Sequence, residues 1–264
     1  MQKPKVSILM TSYNHQNYII QSINSILNQN YKNFELIIVN NGSTDNTKKL
    51  INKFKNNKIK VFHLNKNIGR TKCLNYGLKK CRGKYIAIQD SDDVSKKNRI
   101  LSQVNYLESN SEVGLVGSNI SLINQKGKVV KKNYIKLNLI NNPRTILHTN
   151  IIGHSTVMYK KKLINFTKGY PKNFIYAQDY AFYLKLFTVC KIAILKTDLV
   201  NIRQNHFESE SNRLKKTNII QIENLKLKFW TLKNIKTNIF EKLNIFYKLI
   251  IISTTIIFKR INLF

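Results

Sequence analysis

Short apolar runs that alternate with segments of helical periodicity constrain the fold of this chain most. Four runs rich in Val, Ile and Phe have the length of buried strands, at residues 6–10, 35–39, 59–64 and 85–88. Between them, apolar residues recur every third or fourth position, as at Ile19, Ile23 and Ile26, which is typical of a helix with one buried face. The order β-α-β-α-β-α-β predicts an α/β fold with a mostly parallel central sheet flanked by helices.

Polar residues follow each of the four predicted strands. In open parallel sheets, ligands bind in a crevice outside the carboxyl ends of the strands. We therefore expect one ligand crevice, formed by residues 11–14, 40–43, 67–70 and 90–93.

Composition excludes several classes of protein. The chain carries 45 Lys and Arg against 13 Asp and Glu, a net charge of +32, yet 42% of its residues are hydrophobic, which excludes a disordered basic tail. The three cysteines form no zinc or disulfide spacing, and neither a G-x-G-x-x-G fingerprint nor a P-loop occurs. Residues 6–10 are too short for the apolar region of a signal peptide, so we expect a cytoplasmic protein.

Aspartate is scarce, and half of it is concentrated in one short segment. Of six aspartates in 264 residues, Asp90, Asp92 and Asp93 lie within four positions that follow the fourth strand. Carboxylates this close raise one another's pKa unless a cation lies among them, and Mg²⁺ or Mn²⁺ prefers such oxygen ligands. The alternative is a solvated turn in which Asp92 or Asp93 is the N-cap of the helix that carries Ile100 and Leu107.

The second half of the chain is less regular. Gly127 indicates a hairpin, and we expect a strand at 154–159, a helix at 179–189 and a last strand at 191–195. Residues 214–264 contain ten Lys or Arg against two Glu and have helical patterning. We therefore predict two units, 1–212 and a basic helical C-terminal extension, 213–264.

Four blocks resemble the family 2 glycosyltransferases of bacterial-type surface polysaccharide synthesis. They are residues 5–14, 34–45, 67–69 and 85–93, and the resemblance extends in the same order over residues 4–210. It implies the GT-A fold. It also implies an inverting, metal-dependent transfer of a sugar from a nucleotide-diphosphate donor to the hydroxyl of a glycan or lipid-linked acceptor.

The resemblance also implies a donor site. Asp90-Ser91-Asp92 resembles the family's D-x-D motif, in which Asp92 would be the direct ligand of Mn²⁺ or Mg²⁺. The family usually has Asp-Asp-Gly-Ser where this chain has Asn40-Asn41-Gly42-Ser43. The Asn41 side-chain oxygen can still accept the uracil N3 proton, so a UDP-sugar is favoured, although turn chemistry explains Asn40 equally well. The residues implied to bind the nucleotide sugar are Thr11, Tyr13, Asn41, Gly69, Arg70 and Asp90.

A second block supplies the candidate catalytic residue. Residues 176–184 resemble the family's Glu-Asp block, with Gln178 in place of the usual Glu, so Asp179 is the candidate general base. A base opposite the leaving group is what an inverting enzyme requires. The alternative for Asp179 is an ordinary helix N-cap.

Three further residues have less specific roles. His206 resembles part of an R-x-H-like element and is a candidate metal ligand, although a structural or exposed histidine is the alternative. Arg203, like Arg70, suits a phosphate group, with solvent exposure as the alternative. His154 belongs to the region that forms the acceptor side in the family, and its role stays open.

The end of the chain combines apolar and basic residues. Residues 245–264 are apolar but interrupted by Lys248 and followed by Lys259 and Arg260, which favours a helix lying in the plane of an anionic membrane. The protein would then be peripheral on the inner membrane face; the alternative is a helix packed on the first unit.

Two other functions compete with glycosyl transfer. The net charge suits nucleic acid, but no helix-turn-helix, RRM or KH signature occurs, so we expect no nucleic-acid partner. A GT-A protein that has lost activity is the other, because Asn40, Asn41 and Gln178 replace acidic residues of the family.

Overall fold

The computed structural model describes residues 4–132, 143–204 and 219–261, with the side chains of the last helix described to residue 254. The strands are β1 Val6–Ser12, β2 Phe34–Asn40, β3 Ile59–His63, β4 Tyr85–Asp90, β5 Val94–Ser95, β6 Val113–Ile123, β7 Val129–Lys131, β8 Met158–Lys160 and β9 Lys191–Arg203. The α-helices are α1 Ile19–Leu27, α2 Thr47–Ile51, α3 Arg70–Lys80, α4 Arg99–Ser109, α5 Ile164–Thr167, α6 Gln178–Phe187, α7 Ile219–Asn234 and α8 Ile239–Ile261. Short 3₁₀ turns lie at Pro143–Leu147, His154–Thr156 and Lys161–Leu163.

The described strands form one mixed sheet in the order β3-β2-β1-β4-β8-β6-β9-β5, and β7 pairs with β6. Strands β1 to β4 are parallel to one another, β8 is antiparallel to β4 and β6, and β9 runs parallel to β6. The predicted parallel half of the sheet is confirmed. Its carboxyl ends lie at the same edge.

Two apolar layers cover this sheet because its central strands are buried on both faces. Leu9 and Ile37 belong to the cluster that contains the buried residues of α3 and α6, while Ile8 and Leu36 belong to the one beneath α1 and α4. Alternate residues of a strand point to opposite faces, so an unbroken apolar run is what two-sided burial requires. Truncating one of these side chains, as in Ile37→Ala, is expected to cost roughly 2–5 kcal/mol.

The second half of the chain differs from expectation in two places. The expected strand at 154–159 is wrong in its first half, because His154–Thr156 form a 3₁₀ turn closed by the Thr156 N–H and the Gly153 carbonyl, and β8 begins at Met158. Strand β9 does not end at Leu195. Register shifts beside Ser118 and Asn119 of β6 allow it to continue to Arg203. The hairpin at Gly127 is confirmed, with φ +81° there.

Both C-terminal helices pack against the rest of the chain. Helix α7 buries Glu223, Leu227 and Lys228, and α8 is joined to the 3₁₀ turn at 143–147 by an ion pair between Arg144 and Glu241 at 2.5 Å. The division between residues 212 and 213 stays a prediction. Within the described helices, none combines the length and the apolar character that crossing a membrane requires.

Candidate active site

The loops that follow β1 and β2 are hydrogen-bonded to each other at the carboxyl edge of the sheet. Thr11 pairs with Val39 of β2 on one side and with Asp90 of β4 on the other. Asn14 then accepts the Thr44 N–H at 2.9 Å, and its own N–H donates to the Ser43 hydroxyl. The half-buried Tyr13 lies within this bonded pair of loops.

Asn41 connects the end of β2 to the loop that opens α3. Its side-chain oxygen accepts the Ile68 N–H and its amide donates to the Asn67 side-chain oxygen, both at 3.0 Å. The Asn67 oxygen also accepts the Gly69 N–H at 2.8 Å. Gly69 has φ +84°, a conformation that favours glycine, and it precedes α3 with no side chain to cap the helix.

Asn40 stabilises the turn itself. Its side-chain oxygen accepts the Ser43 N–H at 3.3 Å, and its amide lies 3.2 Å from His63 Nδ1. Gly42 has φ +69°, and a Cβ added there would lie 2.4 Å from the Lys66 carbonyl carbon. Turn chemistry therefore accounts for Asn40.

Asp90, the last residue of β4, is held by two side chains. Arg70 Nη2 donates to Asp90 Oδ1 at 2.7 Å, and His154 Nδ1 lies 3.1 Å from the same oxygen. Arg70 Nη2 also lies 3.0 Å from His154 Nδ1. A proton on Nδ1 would let His154 donate to Asp90 and Nε2 accept from the Tyr170 hydroxyl at 3.2 Å, whereas an unprotonated Nδ1 would accept from Arg70. Burial by itself would raise the pKa of Asp90, but Arg70 and then His154 outweigh it and hold this pKa well below its usual range.

The other two aspartates of the cluster differ in environment. Asp93 is buried, and its carboxylate accepts the Arg203 N–H at 2.9 Å and the Ser155 hydroxyl. Burial, then the charges of Asp92 and Asp90, raise the pKa of Asp93 well above its usual value. Asp92 is half-buried. The N-cap alternative is wrong for both, since α4 begins at Arg99 with Asn98 as its N-cap residue.

Arg203 is neither solvent-exposed nor available for phosphate. Only 5% of it is exposed, and its guanidinium donates to the Asp92 carbonyl at 2.9 Å, the Gln21 side-chain oxygen at 2.6 Å, and the carbonyls of Asn124 and Gln125. It also lies 4.6 Å from the ring centroid of Tyr18. Arg203 therefore fixes the D-x-D loop, and both sequence interpretations of this residue are wrong.

Asp179 is the second residue of α6 and half-buried. Its Oδ1 accepts the Tyr180 N–H at 2.7 Å and its Oδ2 accepts from the Asn150 amide at 3.2 Å. Ala177 occupies the N-cap position, so the N-cap alternative for Asp179 is wrong. A carboxylate in the first turn interacts favourably with the helix dipole.

One cavity contains both the candidate general base and two of the residues predicted to bind the nucleotide sugar. It has a volume of about 410 Å³ and contains the Arg70–Asp90 pair, His154 and Asp179 in its wall. Thr11, Tyr13, Asn41, Gly69 and Asp92 are not part of this wall, although they belong to the adjoining strand ends. His206 lies outside the described residues.

A larger concavity, of about 1,500 Å³, lies at the opposite edge of the sheet. Lys5, Lys84 and Lys161 in its wall belong to the amino end of β1, the approach to β4 and the segment after β8. None of the predicted site residues in the described part of the chain borders it. It touches the 67–70 loop only through Ile68. It is therefore not the candidate active site.

The residues present fit a metal that is held largely by its substrate. Over residues 4–132, 143–204 and 219–261, no group of three or more His, Cys, Asp or Glu side chains could hold an ion. Mg²⁺ typically takes one or two carboxylates together with substrate phosphates and water. Asp92 would supply one carboxylate. The pKa of the neighbouring Asp93 is raised first by burial and then by the charges of Asp92 and Asp90, and a cation near these carboxylates would offset that repulsion.

Comparison with known proteins agrees with this geometry. The profile described as Glycosyl transferase family 2 matches residues 7–180. The chain belongs to glycosyl transferase family 2. It is therefore a glycosyltransferase, and its mixed sheet flanked by helices is the GT-A fold.

Relatives and solved structures share this assignment. An uncharacterized glycosyltransferase of Haemophilus influenzae is 32% identical over 241 residues, 82% of this chain and 73% of that protein. The O-antigen biosynthesis glycosyltransferase WbnJ of Escherichia coli is 36% identical over 190 residues, 70% and 72% of the two chains. The crystal structure of Staphylococcus aureus TarS 1–349 in complex with UDP-GlcNAc matches this fold with a TM-score of 0.72 at 20% identity, over 91% of this chain and 70% of that one.

A mannosyltransferase from Pyrobaculum calidifontis in complex with GDP-Man and Mn²⁺ has the same fold. Its TM-score is 0.72 at 16% identity, covering 96% of this chain and 74% of that one.

Sequence reasoning missed the residues that surround the candidate base. Asn150 contacts Asp179 directly, and Asn224 of α7 is also part of the cavity wall. Glu223 and Lys228 of the same helix contact the segments on either side of it. No motif marks Asn150 or Asn224, because a single polar residue in a loop or on a helix carries no spacing.

Proposed function

We propose that this glycosyltransferase moves a sugar, with inversion, from a UDP-sugar to the hydroxyl of a glycan or lipid-linked acceptor in surface polysaccharide synthesis. The observation that carries the proposal is the cavity of about 410 Å³, whose wall contains both the Arg70–Asp90 pair and Asp179. The relative WbnJ is named for O-antigen biosynthesis, and TarS crystallises with UDP-GlcNAc.

The nucleoside would bind at the ends of β1 and β2. Asn41 already accepts one N–H, from Ile68, and an amide oxygen has two lone pairs, so it can also accept the uracil N3 proton. Thr11 and Tyr13 lie on the neighbouring strand end and loop. GDP-Man in the mannosyltransferase from Pyrobaculum calidifontis makes a guanosine donor the competing choice.

The diphosphate would bind between α3 and the D-x-D loop. The N-terminus of α3 follows Gly69 and has no side-chain cap, and uncapped N–H groups at a helix N-terminus attract phosphate. Arg70, the first residue of α3, adds a positive charge there. Asp92 would hold Mn²⁺ or Mg²⁺, with His206 as a second proposed ligand. When bound, this metal offsets the negative charge of the departing diphosphate.

Asp179 would act as the general base. Its carboxylate takes the proton of the acceptor hydroxyl while that oxygen attacks the anomeric carbon, and the bond to the diphosphate breaks on the opposite face. Asn150 and the Tyr180 N–H each hold one carboxylate oxygen, which fixes the direction of the base. The sugar configuration is thereby inverted.

Helix α8 supports a membrane location for the extension. One face packs inward through Ile245 and Leu249. The other face exposes an apolar stripe formed by Ile239, Phe240, Leu243, Phe246, Tyr247 and Ile250. Lys242 and Lys248 flank this stripe on the helix, as expected for a helix in an anionic interface. Packing on the rest of the chain and binding to a membrane would thus involve opposite faces of one helix.

A panel of nucleotides tests the proposal. With Mn²⁺ present, UDP is expected to raise the melting temperature because it binds only the folded protein, whereas UMP, CMP and ADP raise it less. EDTA should remove the effect of UDP. Salt-sensitive binding to duplex DNA with no response to any nucleotide would contradict the proposal and favour a nucleic-acid-binding protein.

A further inference from the structure

Glu223 of helix α7 caps the segment that leads into the catalytic helix α6. Its carboxylate accepts three consecutive backbone N–H groups, those of Ile175, Tyr176 and Ala177, at 2.6, 2.9 and 2.8 Å. Only 4% of Glu223 is exposed. These N–H groups belong to the segment just before α6 and to its N-cap residue Ala177, so Glu223 fixes the backbone two residues before Asp179.

Lys228 lies five residues further along α7 and contacts the segment that leads to Asn150. Its Nζ donates to the carbonyls of Leu147 and His148 at 3.1 and 2.6 Å, and lies 2.9 Å from the Tyr180 hydroxyl. The two carbonyls directly precede Thr149 and Asn150 in the cavity wall. Only 3% of Lys228 is exposed.

The two contacts converge on one carboxylate. Glu223 fixes the backbone that carries Asp179, and Lys228 fixes the segment that carries Asn150, whose amide donates to Asp179. Between them in sequence, Asn224 is half-buried and contributes to the same wall as Asp179. Helix α7 therefore contacts residues 175–177 and 147–148, two segments that lead into the cavity wall, and contributes Asn224 to that wall.

We propose that α7 completes the acceptor subsite, with Glu223 and Lys228 as positioning residues for Asp179 and Asn224 as a hydrogen-bonding residue for a hydroxyl of the acceptor sugar. The inference rests on the proposed function, since it assumes that Asp179 is the base and that this cavity receives the acceptor. An amide both donates and accepts, which suits a sugar hydroxyl that does the same. Arg70 and Asp90 in the same wall belong to the proposed donor site, whereas α7 contacts the segments that carry Asp179 and Asn150, and we therefore assign Asn224 to the acceptor.

A positioning role has a kinetic signature that a general structural role lacks. Small displacements of a catalytic group reduce the rate of the chemical step, while the donor site on β1, β2 and α3 is unaffected. Glu223→Ala and Lys228→Met are each expected to lower kcat at least tenfold and to leave the Kd for UDP with Mn²⁺ within twofold. Glu223→Gln keeps an acceptor oxygen and should recover part of the rate.

Asn224 has a different expected signature. Asn224→Ala should raise the KM for the acceptor at least fivefold, with kcat and the Kd for UDP unchanged. UDP-N-acetylglucosamine and UDP-glucose serve as donors, and p-nitrophenyl glycosides serve as acceptor probes. Lys226→Met is the matched control, because Lys226 is an exposed lysine of the same helix.

Hydrogen exchange tests the contact between Glu223 and the N–H groups of residues 175–177 without any turnover. Glu223→Ala should accelerate exchange of the amides of 175–177 at least tenfold and leave those of β1 unchanged. Should Glu223→Ala fail to fold, Glu223→Gln and Lys228→Met carry the test.

Three results would overturn the inference: unchanged exchange at 175–177, a kcat equal to that of Lys226→Met, or a loss of UDP affinity that parallels the loss of rate. An unchanged acceptor KM in Asn224→Ala would overturn the role of that residue. A wild-type protein that binds no nucleotide contradicts the proposed function instead. The exchange result then still decides whether Glu223 holds residues 175–177.

Discussion

Arg70 Nη2 donates a hydrogen bond to Asp90 Oδ1 across 2.7 Å, joining the first residue of α3 to the last residue of β4. The pair links the helix N-terminus proposed to bind the diphosphate with the first aspartate of the D-x-D motif. His154 Nδ1 lies 3.1 Å from the same carboxylate oxygen. The charge of Asp90 is therefore balanced by protein groups, and Asp92 is the residue proposed to balance a metal.

Replacing Arg70 tests whether this residue balances the charge of Asp90 and helps to bind the diphosphate. Arg70→Met leaves Asp90 without its main counter-charge and removes a cation beside the diphosphate, so we expect UDP to bind roughly tenfold more weakly by calorimetry with Mn²⁺. Arg70→Lys keeps the positive charge but lacks the planar guanidinium, so its Kd for UDP should lie between those of the wild type and Arg70→Met. Arg82→Met, at the opposite edge of the sheet, is the control. A Kd for UDP that stays at the wild-type value in Arg70→Met would contradict the role.

Replacing Asp92 tests the metal. Asp92→Asn removes the proposed ligand but keeps the shape of the side chain, so Mn²⁺ should no longer strengthen UDP binding, and metal-dependent turnover should be lost. Titrating UDP with and without Mn²⁺ measures this coupling. Asp198→Asn, which alters a carboxylate paired with Lys96, should keep the full response. Undiminished Mn²⁺ stimulation in Asp92→Asn would place the metal elsewhere.

The buried Lys228 predicts a pH-dependent stability. Burial, and then the charge of Lys248, lower the pKa of Lys228 to about 7, whereas an unfolded lysine titrates near 10.4. Between these values the unfolded chain binds a proton that the folded chain does not, so the free energy of unfolding rises with pH. From pH 7 to pH 9, urea denaturation should show a gain of about 2 to 3 kcal/mol that Lys228→Met abolishes.

The exposed Lys226 supplies the control for this experiment. Lys226→Met should keep the wild-type dependence on pH, because the Lys226 side chain is exposed on the same helix and it is Lys228, not Lys226, that contacts residues 147–148. A pH dependence that is identical in wild type and Lys228→Met would show that Lys228 stays charged in the folded protein.

The apolar stripe of α8 predicts binding to anionic membranes. Replacing Phe240, Phe246 and Ile250 together with Ser should weaken binding to phosphatidylglycerol-rich vesicles at least tenfold in a sedimentation assay, because all three are exposed and stabilise nothing inside the fold. Phe166→Ser, which removes an exposed phenylalanine of α5, should change nothing. Equal binding by the triple variant would restrict α8 to its packing role.

The parallel half of the sheet was predictable because buried parallel strands have a characteristic unbroken apolar pattern. Residues such as Ile8, Leu9 and Ile37 must all be apolar where helices cover both faces of the sheet, and the polar residues that follow must then lie at one edge. The bounds of β1, β2 and β4 were each predicted short, because Ser12, Asn40 and Asp90 are polar residues that still pair in register at the strand ends.

The fate of individual charged residues was not predictable. Arg203 and Arg99 are buried among hydrogen bonds while most of the other cations in the described part of the chain are exposed, and no local pattern separates the two kinds. The scarcity of acids was a usable signal, but it was applied to aspartate alone. Applied to the seven glutamates, it would have drawn attention to Glu223 and Glu241, which hold elements far apart in sequence.

The central claim is that Asp179 removes the proton of the acceptor hydroxyl, and steady-state kinetics of Asp179→Asn test it most directly. The substitution preserves the contact with Asn150 in shape but removes the basic oxygen. We predict that kcat falls by about 10² to 10⁴ while the Kd for UDP with Mn²⁺ stays within twofold of wild type. A variant that transfers sugar at the wild-type rate would contradict the account.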